Sequence, residues 1–162
     1  KDDAALVVNL RGLWDFSILD RDRGKSVYTL KENRVPPADA KWVKISVPAP
    51  WEHQGYPDHD GTAWYRKQFT IPKSLEGEDL VLLMGKIDDY DEVYLNGKLV
   101  GSTNWYDKQR VYHVTSDLFK AGALNLILVY VSDPQGLGGI WEGPVGIMKQ
   151  SEFTRYMRWR DE

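Results

Sequence analysis

Apolar and polar residues alternate with a period of two along much of this chain. Trp14, Phe16 and Ile18 are interleaved with Asp15 and Ser17, and Val43, Ile45 and Val47 with Trp42, Lys44 and Ser46. Tyr65, Phe69 and Ile71 share one parity of a third segment. Side chains on a strand point to opposite faces in turn, so each segment predicts a half-buried β-strand. Val81-Leu82-Leu83-Met84 and the run Leu126 to Val131 are apolar on both parities and predict strands covered on both faces. In the stretch from Lys86 to Gly101, Val93 and Leu95 alternate with Glu92 and Tyr94. Asn96-Gly97 then supplies the two positive-φ residues of a type I′ turn, and Leu99-Val100 returns. Val111 to Val114 and Val145 to Ile147 add two short candidates, for about nine or ten strands, the spacing of a sandwich or barrel.

Helical signals are sparse. Ser116-Asp117 can start a single turn through Leu118, Phe119 and Lys120 that Gly122 ends. From Glu152 to Arg160, Phe153, Tyr156 and Met157 fit helical spacing while Tyr156, Arg158 and Arg160 fit strand alternation. That segment is read as a terminal strand.

At 162 residues and 42% apolar content, one domain over 1–162 is expected, with core enough to fold without staples. A net charge of −3 with mixed signs argues against a nucleic-acid partner, which calls for a clustered basic face. The absence of cysteine excludes disulfides, thiolate metal sites and cysteine nucleophiles. No apolar run reaches the roughly 20 residues of a membrane helix, so no membrane span is expected. The chain starts at Lys1, and an upstream segment is expected, with room for a signal peptide and hence a secreted or periplasmic protein.

Two irregular loops concentrate candidate chemistry. Pro48 to Thr62 holds Trp51, His53, Tyr56, Asp58, His59 and Asp60; Ser132 to Pro144 is glycine-rich and holds Asp133, Gln135, Trp141 and Glu142. Long loops on a rigid sandwich are where binding groups concentrate. A sugar offers C–H faces to an indole and hydroxyls to carboxylates and amides, so Trp51, Trp105 and Trp141 are candidate platforms or, equally, plugs at the loop end of the core. Trp14, Trp42 and Trp64 are read as packing. His53 and His59 match no zinc spacing and are expected in a solvated polar loop, and His113 is expected to be a strand residue with its own hydrogen bond. Asp88, Asp89 and Asp91 offer oxygen ligands to a hard cation. Their spacing is not that of a calcium loop, and salt links to Arg66 and Arg110 are the simpler account.

Five motifs in order carry a family resemblance: L-R-G-L-W-D-F at Leu10 to Phe16, V-P-A-P-W-E at Val47 to Glu52, G-T-A-W-Y-R-K-Q-F at Gly61 to Phe69, V-Y-L-N-G-K-L-V-G at Val93 to Gly101, and D-P-Q-G-L-G-G-I-W-E-G-P-V at Asp133 to Val145. Together they resemble the N-terminal sugar-binding domain of family 2 glycoside hydrolases, and I-D-D-Y-D-E-V-Y-L-N-G is similar to the module embedded in sialate O-acetylesterases. The resemblance implies an all-β, galactose-binding-domain-like jelly-roll β-sandwich. It also implies that Asp133, on the loop leading to the G-G-I segment, stands where the family has an acid that reaches toward the catalytic barrel's pocket, with Gln135 and Glu142 beside it. In that family the catalytic carboxylates lie on a separate (β/α)₈ barrel, and this chain has neither the βα alternation for one nor a nucleophile turn.

The expected function is a non-catalytic carbohydrate-binding or accessory domain. Glycans would be met through Trp51, His53, Asp60, Trp105, Asp133, Gln135, Trp141 and Glu142. No cofactor is required, calcium is the possible ion with Asp88, Asp89 and Asp91 as the fallback ligands, and a catalytic glycosidase domain is a possible partner. The alternative is a structural or protein-interaction domain of a larger glycoside hydrolase, without sugar affinity of its own.

Overall fold

A computed structural model describes residues 5–19, 34–57 and 59–160 and places them in ten strands and one terminal helix. The strands are β1 (Val8–Asn9), β2 (Gly12–Leu19), β3 (Val43–Val47), β4 (Gly61–Ile71), β5 (Leu80–Asp88), β6 (Tyr90–Leu95), β7 (Lys98–Asn104), β8 (Gln109–Val114), β9 (Ala123–Asp133) and β10 (Gly139–Lys149). They pair antiparallel into a four-stranded sheet, β1-β10-β5-β8, and a six-stranded sheet, β3-β2-β4-β9-β6-β7. The all-β jelly-roll sandwich expected from the sequence is thus the fold observed.

The core lies between the sheets, where the period-two pattern sends its apolar parity. Trp14 and Phe16 of β2, Tyr65 and Ile71 of β4, Leu82 and Met84 of β5, and Ile127, Val129 and Val131 of β9 meet there fully buried. The strands apolar on both parities are covered outside as well. On the six-stranded sheet, Leu128 and Tyr130 join Trp64, Tyr90 and Tyr94 in an outer cluster around Glu92. That buried carboxylate accepts the Tyr90 and Tyr94 hydroxyls at 2.5 and 2.8 Å and pairs with Arg34 at 2.7 Å.

On the four-stranded sheet, the outward Val81, Leu83 and Met148 are covered by Phe153 and Tyr156. Those two residues are three apart on helix α1, Gln150–Arg160. This corrects the terminal strand read from the sequence. Short-range periodicity was balanced there, and the exposed apolar back of β5 and β10 decides for a helix, which delivers two aromatic rings to one face.

The hairpin follows its turn chemistry, with Asn96 and Gly97 at φ 50° and 85° and Leu95 facing Lys98. One turn of 3₁₀ helix, Ser116–Leu118, stands where the short connector was expected, although Phe119 is already extended. His113 Nδ1 lies 2.7 Å from Gln150 Oε1, so it has its own partner.

The connections that matter for the site gather at one end of the sandwich. β5 ends at Asp88, and the chain crosses to the other sheet at Tyr90. Register places Asp88 opposite Gly139, Gly61 opposite Asp133, and Tyr90 opposite Ser132. The start of β4, the end of β5, the end of β9 and the start of β10 are therefore neighbours.

Candidate functional site

The Pro48 to Asp60 loop is stitched onto the start of β10 by backbone bonds. Ala49 N–H donates to Ile140 O at 2.8 Å and Trp51 N–H to Gly138 O at 3.0 Å. A single 3₁₀ turn, Trp51–Gln54, then drives the Trp51 indole inward. Trp51 is 0% exposed, packs at 5.8 Å from the Phe16 ring and donates its Nε1–H to His59 O at 3.1 Å. Of the two readings the sequence leaves open for it, platform or plug, its burial matches the plug. A tryptophan in an irregular loop looks the same in sequence whether the loop folds over it or away from it. Beside it His59 is buried, with Nε2 3.0 Å from Thr62 O. His53 is exposed, and Asp58 lies outside the described residues.

The turn that buries Trp51 aims Glu52 at the neighbouring loop. Glu52 Oε1 accepts the Gly138 N–H at 2.7 Å, and Oε2 is buried without a hydrogen-bond partner among the described residues. Asp60, just ahead of β4, and Asp133, the last residue of β9, bring their carboxylates to the same place. Ligand oxygens of Glu52, Asp60 and Asp133 all lie within 4.8 Å of one another.

Asp133 is 0% exposed, and among the described residues neither carboxylate oxygen has a hydrogen-bond partner. Burial, reinforced by the charges of Asp88, Glu52, Asp60 and Asp89, pushes its carboxyl up to about 9. Burial and then Asp89 push Asp88 up to about 7, and burial raises Glu52. Gly138 closes the floor, because a Cβ there would lie 2.2 Å from the Trp51 ring and 2.7 Å from Asp133 Oδ2. Glu52 was not singled out in the sequence. Its signal was indirect: an acid next to a tryptophan in a loop facing a second acidic loop.

Among the described residues, the carboxylates of Asp88, Asp89 and Asp91 are not gathered into one ligand cluster. Asp91 faces away and is fully buried, accepting Arg110 Nε–H at 2.7 Å and the Tyr112 hydroxyl at 2.7 Å. Arg110 also donates to the carbonyls of Asp89, Trp105 and Lys108. The expected link from Arg110 to the acidic run thus exists through Asp91. Arg66 is different, because its strand sits beside β2 rather than the hairpin. It pairs with Asp15 at 2.9 Å and stacks 3.9 Å from the Trp42 ring.

The second group of candidate residues is a surface. Trp105 is 58% and Tyr106 49% exposed, with ring centroids 5.3 Å apart. Arg110 holds their loop from beneath, and the half-buried Trp141 holds it from the side, its Nε1–H donating to Tyr106 O at 3.0 Å. Lys86 Nζ sits 5.4 Å from the Trp141 ring centroid and pairs with Asp107 at 2.7 Å and Glu142 at 3.1 Å. Those carboxylates raise the Lys86 ammonium. Trp105, Trp141 and Glu142 are therefore brought together, while Gln135 lies exposed on its loop. Tyr106 and Lys86 were missed, because only the pairing of β5 with β10 sets Lys86 opposite Glu142.

With this geometry in place, comparison with known proteins is informative. No protein-family model matches the chain. A β-glucuronidase of Formosa agariphila is 29% identical over 111 residues, covering 60% of this chain and 11% of that protein. One of Paenibacillus borealis is 28% identical over 100 residues, covering 59% and 16%. Among solved structures, the Faecalibacterium prausnitzii β-glucuronidase superposes with a TM-score of 0.60 at 25% identity, covering 82% of this chain and 22% of that one. A Dictyoglomus thermophilum β-D-glucuronidase shares the fold at TM-score 0.61 and 22% identity, covering 83% and 21%. The relatives and the shared sandwich bear out the likeness to the N-terminal domain of family 2 glycoside hydrolases that the five motifs carry. The chain corresponds to only 11% and 16% of the curated relatives' length.

Proposed function

We propose that this sandwich is a non-catalytic carbohydrate-binding or accessory domain of a β-glucuronidase-type glycoside hydrolase, meeting glycans on the surface of Trp105, Tyr106 and Trp141. The observation that carries this reading is the exposed pair Trp105 and Tyr106 set beside Asp107, Glu142 and Lys86. Flat rings take the C–H face of a pyranose, and the carboxylates and ammonium meet its hydroxyls. An acidic sugar such as a glucuronide would find in Lys86 a cation already at the ring edge. Such a ligand fits a secreted or periplasmic protein.

The alternative, a domain that supports a larger glycosidase without sugar affinity of its own, is favoured by the burial of Trp51, which spends that loop aromatic on core packing. Calorimetric titration against glucuronides, galactosides and plant or host polysaccharides separates the two. Saturable binding that Trp105→Ala and Trp141→Ala both weaken supports the first; no heat with any glycan, from folded protein, supports the second.

A further inference from the structure

We infer that Asn96 is a modification site of this protein: it loses its side-chain amide to attack by the Gly97 nitrogen when the β6–β7 turn opens, and the folded chain both guards against the reaction and rejects its product. The site lies at the opposite end of β6 and β7 from Trp105 and stands apart from the glycan reading.

The chain has one Asn-Gly step, Asn96-Gly97. Asparagine is a thermolabile residue, and a following glycine leaves the attacking nitrogen without a shielding Cβ. Gly97 is exposed, and a Cβ built on it meets no atom within 4 Å. In the reaction the Gly97 nitrogen gives up its proton and bonds to Asn96 Cγ, and the Cγ–Nδ2 bond breaks with release of ammonia. Water then opens the succinimide, leaving aspartate or, where it attacks the backbone carbonyl, isoaspartate. One water enters and one ammonia leaves.

The fold holds Asn96 Cγ back from that reaction. β6 lies between β9 and β7, and the Asn96 side chain is fastened on the β9 side. Asn96 N–H donates to Leu126 O at 2.9 Å, and Asn96 Oδ1 accepts Leu126 N–H at 2.9 Å. The side chain thus extends the β6–β9 ladder past the pair Leu95 and Ile127. Nδ2 donates to Leu118 O at 3.0 Å and to Asn125 Oδ1 at 2.9 Å, so the leaving group has both hydrogens engaged. Cγ swings over the Gly97 nitrogen once these bonds break.

The same contacts reject the product. A carboxylate only accepts hydrogen bonds, and in that position one of its oxygens would face Leu118 O and Asn125 Oδ1, both acceptors. Asn125 cannot turn its own amide round to help. It is buried, its Oδ1 also accepts Lys120 N–H at 2.7 Å, and its Nδ2 donates to Lys120 O at 2.8 Å and Ala123 O at 3.0 Å. Isoaspartate would insert a backbone methylene into a turn that sets Leu95 opposite Lys98. A chain that opens and reacts therefore closes less well than before, and the change is a one-way mark of unfolding.

The intact chain is incubated in mildly alkaline buffer, folded and in urea. The peptide carrying Asn96 is followed by mass spectrometry and by enzymatic assay of isoaspartate. Expected is conversion in urea that is slower by at least about tenfold in the folded chain. Gly97→Ala should slow the conversion in urea, where no fold is needed. Asn96→Asp, which supplies one product directly, should lower Tm by roughly 5 °C.

No conversion at Asn96 in urea, or conversion undiminished by Gly97→Ala, would overturn the site. Equal rates in the folded and unfolded chain would overturn the guard. An Asn96→Asp variant that melts with the wild type would overturn the rejection of the product.

Discussion

Asp91 and Asp133 are both fully buried aspartates on the six-stranded sheet, and they are treated in opposite ways. Asp91 receives a guanidinium and a phenol, Arg110 and Tyr112, each at 2.7 Å. Among the described residues Asp133 receives none, and four other carboxyls stand close by. Burial pushes Asp91 up only to about 6, since Arg110 and Tyr112 pull it back, whereas Asp133 rises to about 9 with its neighbours pushing the same way. The protein neutralises one charge with a guanidinium and a phenol and leaves the other among carboxyls.

The largest expected effect breaks the satisfied side. Arg110→Ala strands Asp91 and also frees the carbonyls of Asp89, Trp105 and Lys108, so a loss of ~3–5 kcal/mol in urea denaturation is expected. A loss below about 1 kcal/mol would mean that the pair is not what holds this corner.

The unsatisfied side should respond to pH with the opposite sign from an ordinary salt bridge. The folded chain keeps protons on Asp133 and Asp88 that the unfolded chain releases above about pH 4. The stability these groups contribute is therefore full below about pH 4 and falls as pH rises through 7 and towards 9. Asp133→Asn should flatten that fall in a series of thermal melts, and an unchanged slope would remove Asp133 as its source.

A smaller effect concerns binding alone. Trp105→Ala should weaken a glycan by about tenfold while shifting Tm by less than roughly 2 °C, because its ring already faces water. A large drop in Tm would show that the ring is packing and not platform. The smallest effect is the exposed reference, Lys44 with Asp15 at 2.7 Å. Lys44→Ala should cost under ~1 kcal/mol at pH 7. Its contribution should vanish as acid protonates Asp15, whose carboxyl Lys44 and Arg66 hold below the usual range.

Much of the fold could be read directly from the chain. Alternation at Trp14 to Ile18, the two-sided apolar runs in β5 and β9, and Asn96-Gly97 at the hairpin are local signals, since one strand or one turn suffices to express them. The terminal helix was misread because its deciding partner, the back of β5 and β10, is remote in sequence. The site was legible only as a list. Asp60, Asp133, Trp105, Trp141 and Glu142 were all named, but nothing local says that the first two meet Glu52 or that the other three share a surface with Tyr106 and Lys86. Trp51 shows the same limit, since the 3₁₀ turn and the stitching to Gly138 and Ile140 turn its ring inward.

By itself, then, the sequence determined the sandwich, its core strands and its hairpin, because backbone period and turn chemistry act over a few residues, and its ordered motifs carried the likeness to family 2 glycoside hydrolases. Which acid is neutralised and which is left bare was decided by tertiary structure alone. Register sets Gly61 against Asp133 and Gly139 against Asp88 while it turns Asp91 toward Arg110, and a charge's energy depends on what lies within a few ångströms of it, whatever the distance along the chain.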